Sequence, residues 1–327
     1  MELMLDYGLF LAKTLTITVA VLALVAVSLA AASRGRDRDR EQLSVKKLNQ
    51  RFRDMELTLR RALLGRKQFR QLLRQRKKTD KQRGERPRVF VLDFHGDIRA
   101  SAVDNLREEI TALLTLADPK RDRVVLRLES AGGLVHGYGL AASQLARIRD
   151  REIPLTVAVD KVAASGGYLM AAVAQHIQAA PFAIVGSIGV VAQLPNLHRL
   201  LKKHDVDVEL HTAGQHKRTL TVFGENTEEG RQKFREELED IHALFKGYVH
   251  RYRPQLDVET VATGEHWFGE RAQELQLVDS LRTSDDLLMG LAKDADLFQI
   301  TYRRKQPMSK RITLAVENSL DRLMSRF

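Results

Sequence analysis

A serine followed at once by two glycines, within residues 162–168 (V-A-A-S-G-G-Y), is the arrangement in this 327-residue chain best suited to nucleophilic chemistry. The stretch is entered from the β-branched run 155–159 (L-T-V-A-V) and leaves into residues 168–174 (Y-L-M-A-A-V-A), which suit a helix packed against that strand. Ser165 therefore falls at a strand-to-helix junction. There the free N–H groups and positive dipole end of the helix stabilise a developing oxyanion, and glycine admits a substrate backbone at close range. The plain alternative is a helix N-cap, a position that serine also favours.

The same construction occurs earlier in the chain. Residues 124–129 (V-V-L-R-L-E) read as a strand, residues 130–133 (S-A-G-G) as a small-residue turn, and a helical pattern runs on through Leu140, Ala141, Leu145 and Ile148. In a parallel α/β sheet both turns lie at the carboxyl ends of strands, where such folds build their sites. One turn can supply the nucleophile and the other a backbone N–H. A third glycine turn, residues 186–190 (G-S-I-G-V), follows the short run 177–180. A serine hydroxyl is a weak nucleophile until a positioned group takes its proton. Four candidates compete for that role: His95, His136 and His176 beside the repeats, and Lys217 in G-Q-H-K-R-T-L after the strand-like run 206–210 (V-D-V-E-L). A lysine serves as a base only where burial or neighbouring cations strip its proton, and His216 and Arg218 flank this one. The competing reading of Lys217 is a solvated loop cation.

Taken in order, S-A-G-G at 130–133, A-S-G-G-Y at 164–168, G-S-I-G-V at 186–190 and G-Q-H-K-R at 214–218 resemble the signal peptide peptidase A (protease IV) family of serine peptidases. The resemblance covers roughly residues 89–281, and the long amino-terminal segment is similar to that of its SohB-like branch. It implies an α/β fold of the Clp/crotonase type, built of repeated β-β-α and βαβ units and carrying a Ser/Lys dyad. By the same resemblance Ser165 matches the nucleophile, Lys217 the general base and Ser187 a hydroxyl that orients the lysine. Gly133 and Gly166 match positions whose N–H groups form the oxyanion hole. The implied substrates are extended peptides or unfolded protein segments. One position departs from the family pattern: Ala131 stands where proline is usual, which alters turn rigidity more than N–H direction.

Upstream of the motifs the composition changes twice. Residues 14–33 form a 20-residue run without a formal charge, rich in Leu, Val and Ala, and about 20 residues span a bilayer as a helix. Glu2 and Asp6 precede it with Lys13 as the one basic residue, and the run exceeds the apolar region of a cleaved signal, so residues 1–33 read as an uncleaved single-pass anchor. Residues 34–88 then carry 21 Lys and Arg against 7 Asp and Glu, a net charge of +14. Cations beside a membrane helix attract anionic lipid headgroups. No nucleic-acid-binding signature accompanies them, so lipid rather than nucleic acid is the expected partner. Val45, Leu48, Phe52, Met55, Leu59 and Ala62 share one helical stripe, which predicts an amphipathic helix followed by a flexible basic linker over residues 74–88.

Residues 89–283 are long enough for one α/β core, the protease domain, and residues 284–327 read as a helix, a strand and a basic tail over 308–327. The spacing predicts a helix over 102–116 and a long amphipathic one over 227–253. The stripe of that long helix suits core packing or a subunit interface, and a homo-oligomer is expected. With no cysteine there is no disulfide, thiol nucleophile or cysteine-based zinc site, and neither metal-ligand spacing nor a nucleotide loop is present, so no cofactor is expected. The resulting expectation is a membrane-anchored serine endopeptidase of the bacterial inner membrane. Its alternatives are a crotonase-type acyl-CoA enzyme and a non-catalytic membrane scaffold. For topology the family resemblance implies a periplasmic catalytic body, whereas the positive-inside rule places the basic segment, and with it the body, in the cytoplasm.

Overall fold

Apolar runs too short for helices, each followed by a stretch of helical period, make parallel strands joined by crossovers. The computed structural model describes residues 13–16, 18–19, 21, 42–81, 84–214 and 216–303. Leu43–Tyr302 forms one compact unit. From residue 42 onward the order is β1 (Gln42–Lys47), α1 (Leu48–Leu63) and α2 (Arg66–Lys81). Next come β2 (Arg88–His95), α3 (Val103–Leu114), β3 (Asp122–Glu129), α4 (Val135–Arg149) and β4 (Leu155–Val159). β5 (Val162–Ala164), α5 (Gly166–Ala172), β6 (His176–Ala179) and β7 (Ile184–Gly186) follow in quick succession. After α6 (His198–Lys203) the long α7 (Glu228–Tyr252) leads through α8 (Val258–Val261), β8 (His266–Phe268) and α9 (Gly269–Glu274) to β9 (Ser280–Leu281). α10 (Ser284–Asp294) and β10 (Asp296–Arg303) end the described chain.

Seven strands form the main sheet in the order β1-β10-β2-β3-β4-β6-β9, and the run from β10 to β9 is parallel throughout. Both faces of the central strands are covered, which is why β2 and β3 carry the apolar runs Val89–Leu92 and Val124–Leu126 at their centres. Phe90, Leu92, Phe94, Val124, Leu126 and Leu128 face a large core shared with α3, α4 and α5. Val89, Val91 and Val125 face a smaller one with Leu48, Leu288 and Leu297. The second sheet has three strands, with β5 parallel to β7 and β7 antiparallel to β8. The mixed α/β fold with a parallel sheet is thus as expected, and the second sheet is new.

Several local expectations shift. The amphipathic stripe of α1 divides: Leu48 and Phe52 pack on the body, while Met55 and Leu59 are exposed. Buried Asn49 fixes this docking, since its Nδ2 donates to Ala295 O (2.9 Å) and its Oδ1 accepts from Leu297 N (2.7 Å). Residues 74–81, expected as flexible linker, continue α2, because the Arg, Lys and Gln that fill them are good helix formers. Residues 206–210, expected as a strand, form none; their alternating pattern finds no neighbouring edge and their side chains are exposed. Of the anchor at 14–33 only residues 14–16, 18–19 and 21 are described, as helix, and the tail at 308–327 lies outside the described residues. No helix among the described residues is long and apolar enough to cross a membrane.

Glu109, buried on α3, accepts a 2.8 Å bond from Tyr302 N at the end of β10. Burial pushes its carboxyl up to about 7, against the opposing pull of that N–H and with a further push from the charge of Asp93. The folded pKa lies above the unfolded one, so the native state holds the extra proton between them. The contribution of the neutral form is complete below about 4.5 and is lost as pH rises through 7. Glu109→Gln keeps the acceptor without the charge. Urea titrations should therefore show the variant gaining on wild type by up to about 3 kcal/mol between pH 5 and pH 8, and an identical difference at both pH values would contradict this account.

Candidate active site

Ser165 does not leave the strand in a relaxed conformation. β5 hands the chain to it at φ 50° and ψ −119°, a region that costs a non-glycine residue about 1–3 kcal/mol. Two backbone bonds hold it there: Ser165 N donates to Gly186 O (2.8 Å), and Ser165 O accepts from Leu169 N (3.0 Å) in α5. The serine is half-buried at the start of that helix. It comes off β5, not β4 as the sequence suggested, because Asp160 and Lys161 break the apolar run and the chain restarts one layer away.

The three glycine turns meet here. A parallel bridge joins Ser130 to Ala163, with Ser130 N donating to Val162 O (2.9 Å) and Ala164 N to Ser130 O (3.0 Å). The S-A-G-G turn after β3 is thereby laid against the strand that delivers Ser165. Gly132, at φ 92°, sits so close that a Cβ on it would lie 2.7 Å from Ser165 Cβ and 2.8 Å from Gly166 N. Only glycine fits this contact. Among the described residues, no acceptor in the protein is paired with the N–H of Gly133 or that of Gly166. The third turn arrives through the β5–β7 pairing, in which Ala164 and Gly186 are partners, so Ser165 and Ser187 are the residues that follow a matched pair. Ser187 shares the positive φ, at 51°, and its N–H donates to Glu265 O (2.7 Å).

The candidate bases are placed differently. Lys217 closes a turn, its N–H donating to Gly214 O (3.1 Å), and its side chain is exposed. No hydrogen bond joins it to Ser165 among the described residues. The described residues of its segment, 204–214 and 216–226, carry neither helix nor strand, and the segment is held by Leu197 N to Val222 O (2.7 Å) and by Asn196 Nδ2 to Thr221 O (3.0 Å). His176 starts β6 and bonds Ser280 Oγ (2.8 Å), at the opposite end of the parallel sheet from Ser165. His95 ends β2 within 3.7 Å of Glu129, and His136 is exposed in the first turn of α4. Neither is bonded to the serine.

Two residues of the site escaped the sequence reading as a pair. Ser130 Oγ lies 2.5 Å from Tyr138 Oη, and Tyr138 Oη donates to Asp97 O (2.8 Å). Burial raises the Tyr138 phenol above its ordinary value, with the Ser130 bond opposing, so it remains a neutral donor. Eight residues separate the two hydroxyls in sequence and a whole turn of chain intervenes, which is why spacing alone did not link them.

Residues 2–145 match the model of the peptidase family S49 N-terminal region, and residues 147–298 match that of peptidase family S49. The chain belongs to this peptidase family, in the SohB-like branch of the signal peptide peptidase A group. A probable protease SohB of Haemophilus influenzae is 58% identical over 239 residues, covering 73% of this chain and 67% of that protein. Its counterpart in Buchnera aphidicola subsp. Acyrthosiphon pisum is 54% identical over 238 residues, covering 73% and 70%. Among solved structures, a lysine-to-alanine mutant of the 1510-N membrane-bound stomatin-specific protease in complex with a substrate peptide aligns at 13% identity and a TM-score of 0.44, over 72% of this chain and all of that one.

Because the strain at Ser165 is backbone strain, it is separable from the hydroxyl. Ser165→Gly should be more stable than Ser165→Ala by about 1 kcal/mol in chemical denaturation, although neither carries a nucleophile. Equal midpoints for the two variants would show that the positive φ is unstrained.

Proposed function

We propose that this peptidase is a membrane-anchored serine endopeptidase in which Ser165 is the nucleophile and Lys217 the general base. The observation that carries the reading is the strained Ser165 at the start of α5 with the S-A-G-G turn pressed against it. Such an elbow sets a serine hydroxyl at a helix start, and among the described residues the N–H groups of Gly133 and Gly166 have no acceptor.

Ser165 Oγ attacks the carbonyl carbon of an extended peptide as neutral Lys217 takes the hydroxyl proton. The Gly133 and Gly166 N–H groups hold the oxyanion, each donor contributing about 3–4 kcal/mol of barrier lowering. Protonated Lys217 then donates to the leaving amine, and water attacks the acyl-enzyme with Lys217 again accepting the proton. Ser187, on the turn paired with β5, is the hydroxyl assigned to orient the lysine. Assignment of Lys217 rests on the order of the four motifs, and it requires the turn at 214–217 to lie over Ser165 when substrate is bound. An extended peptide would lie beside Ser165 with the G-S-I-G-V turn and the strand before Ser130 as candidate walls of its groove.

Fluorophosphonate should label the purified protein stoichiometrically at Ser165, and Ser165→Ala should abolish both labelling and cleavage of fluorescein-casein. Lys217→Ala should be as inactive, since members of a dyad act as a unit, while single substitutions of His95, His136 and His176 retain most activity. A live Lys217→Ala with a dead histidine variant would replace the dyad with a Ser/His pair. Unlabelled wild type would favour acyl-CoA chemistry or a scaffold instead.

The proposal extends to an inner-membrane anchor at residues 14–33, with the basic segment against anionic lipid and the catalytic body in the periplasm. Asp285, exposed on α10, is a suitable reporter. A cysteine there should react with a membrane-impermeant maleimide once the outer membrane is permeabilised. Reaction only after lysis of the inner membrane would put the body in the cytoplasm, as the charge rule prefers.

A further inference from the structure

Resting on the Ser165 reading, we propose that Tyr138 is a positioning residue of the reaction, a single buried side chain that sets the two oxyanion-hole amides in register. Three backbone segments meet on it. The first follows β2, where Asp97 O accepts the Tyr138 hydroxyl (2.8 Å). A hydroxyl has one proton, so the 2.5 Å contact with Ser130 is donated by Ser130 Oγ, which in turn accepts from Gly132 N (3.1 Å). The result is a one-way chain from Gly132 N–H through Ser130 and Tyr138 to Asp97 O. Every proton in it is used, and it ties the S-A-G-G turn to the segment after β2.

That segment also touches the turn directly. Leu134 N donates to Ile98 O (2.8 Å), and a Cβ on Gly133 would lie 2.1 Å from the same oxygen. The peptide bearing the Gly133 N–H is therefore clamped from both ends by bonds that converge on residues 97–98. The third segment is the start of α5. The Tyr138 ring lies flush against Gly166, where a Cβ would come within 2.4 Å of Cγ and 2.7 Å of Cδ2. Phe94 backs the ring edge-on, with centroids 6.4 Å apart, so the ring cannot tilt away. The hydroxyl governs the Gly133 side and the ring governs the Gly166 side. An oxyanion needs both donors at one point in space, so an error on either side is paid in the transition state and not in substrate binding.

Tyr138→Phe keeps the ring and removes the chain. On a fluorogenic hydrophobic peptide anilide, kcat should fall by about tenfold or more while KM stays within about twofold. Inhibition by a peptidyl aldehyde, whose adduct oxygen occupies the oxyanion position, should weaken by a similar factor. Ser130→Ala should reproduce the effect, and the double variant should lose little more than either single one, because the two hydroxyls form one network. Tyr168→Phe is the matched control, since it deletes an equally buried hydroxyl from Leu277 O (2.9 Å), away from the turns. It should lower the thermal midpoint with kcat within about twofold of wild type. Loss of thermal stability in Tyr138→Phe with unchanged kcat and aldehyde affinity would reduce Tyr138 to a core residue and overturn the proposal while wild type still labels at Ser165. Should Tyr138→Phe not fold, full activity in Ser130→Ala overturns it equally. A wild type that neither labels nor cleaves removes the Ser165 reading and this inference together.

Discussion

The short parallel bridge between Ser130 and Ala163 is the contact on which the rest of the site depends. The parallel strands β2, β3, β4, β6 and β9 end at the same edge of the main sheet, but a turn at the end of β3 and a serine at the end of β5 belong to different sheets. Two backbone bonds at one residue close that gap. They bring Gly132 within contact of Ser165 and Gly166, a distance that admits no side chain. Ser165 can then be held at a positive φ because its neighbours on both sides are already committed: Gly186 O receives its N–H, and α5 begins on its carbonyl. Local strain persists where the surroundings over-determine it.

The same economy governs the periphery, where buried polar groups dock the outer elements. Arg253, capping α7 and 2% exposed, makes two 2.8 Å bonds to Asp279 and a third to Gln276 O (2.9 Å). Burial alone would raise the Asp279 carboxyl, but Arg253 and the Ile177 N–H together hold it below its ordinary value. Bonds this complete are what the buried Arg253 guanidinium requires to offset its desolvation. One end of the long helix is thereby fastened to the edge of the sheet beside β9, while Leu244, nearer its middle, stays open to solvent. Asn49 does the equivalent for α1 with neutral bonds, and in doing so turns half of the predicted amphipathic stripe toward the body.

What was readable in the chain by itself was local and periodic. The two strand–turn–helix units, the serine at a helix start and the long amphipathic α7 follow from spacings of two and of three to four residues, which short-range sterics and burial impose wherever they occur. The ordered motifs carried the family as well, and with it Lys217, which no spacing argument had singled out. Tertiary structure decided what depends on chain segments far apart in sequence. That Asp160 and Lys161 split one apolar run into strands of two sheets, that residues 206–210 find no edge to pair with, and that His176 stands at the wrong end of the sheet are outcomes of packing, since each segment taken alone is compatible with the other result. Tyr138 is the sharpest case. Its hydroxyl partner Asp97 lies 41 residues upstream and its ring partner Gly166 lies in a different crossover, so only the folded sheet, by aligning the carboxyl ends of its strands, gives that tyrosine anything to hold together.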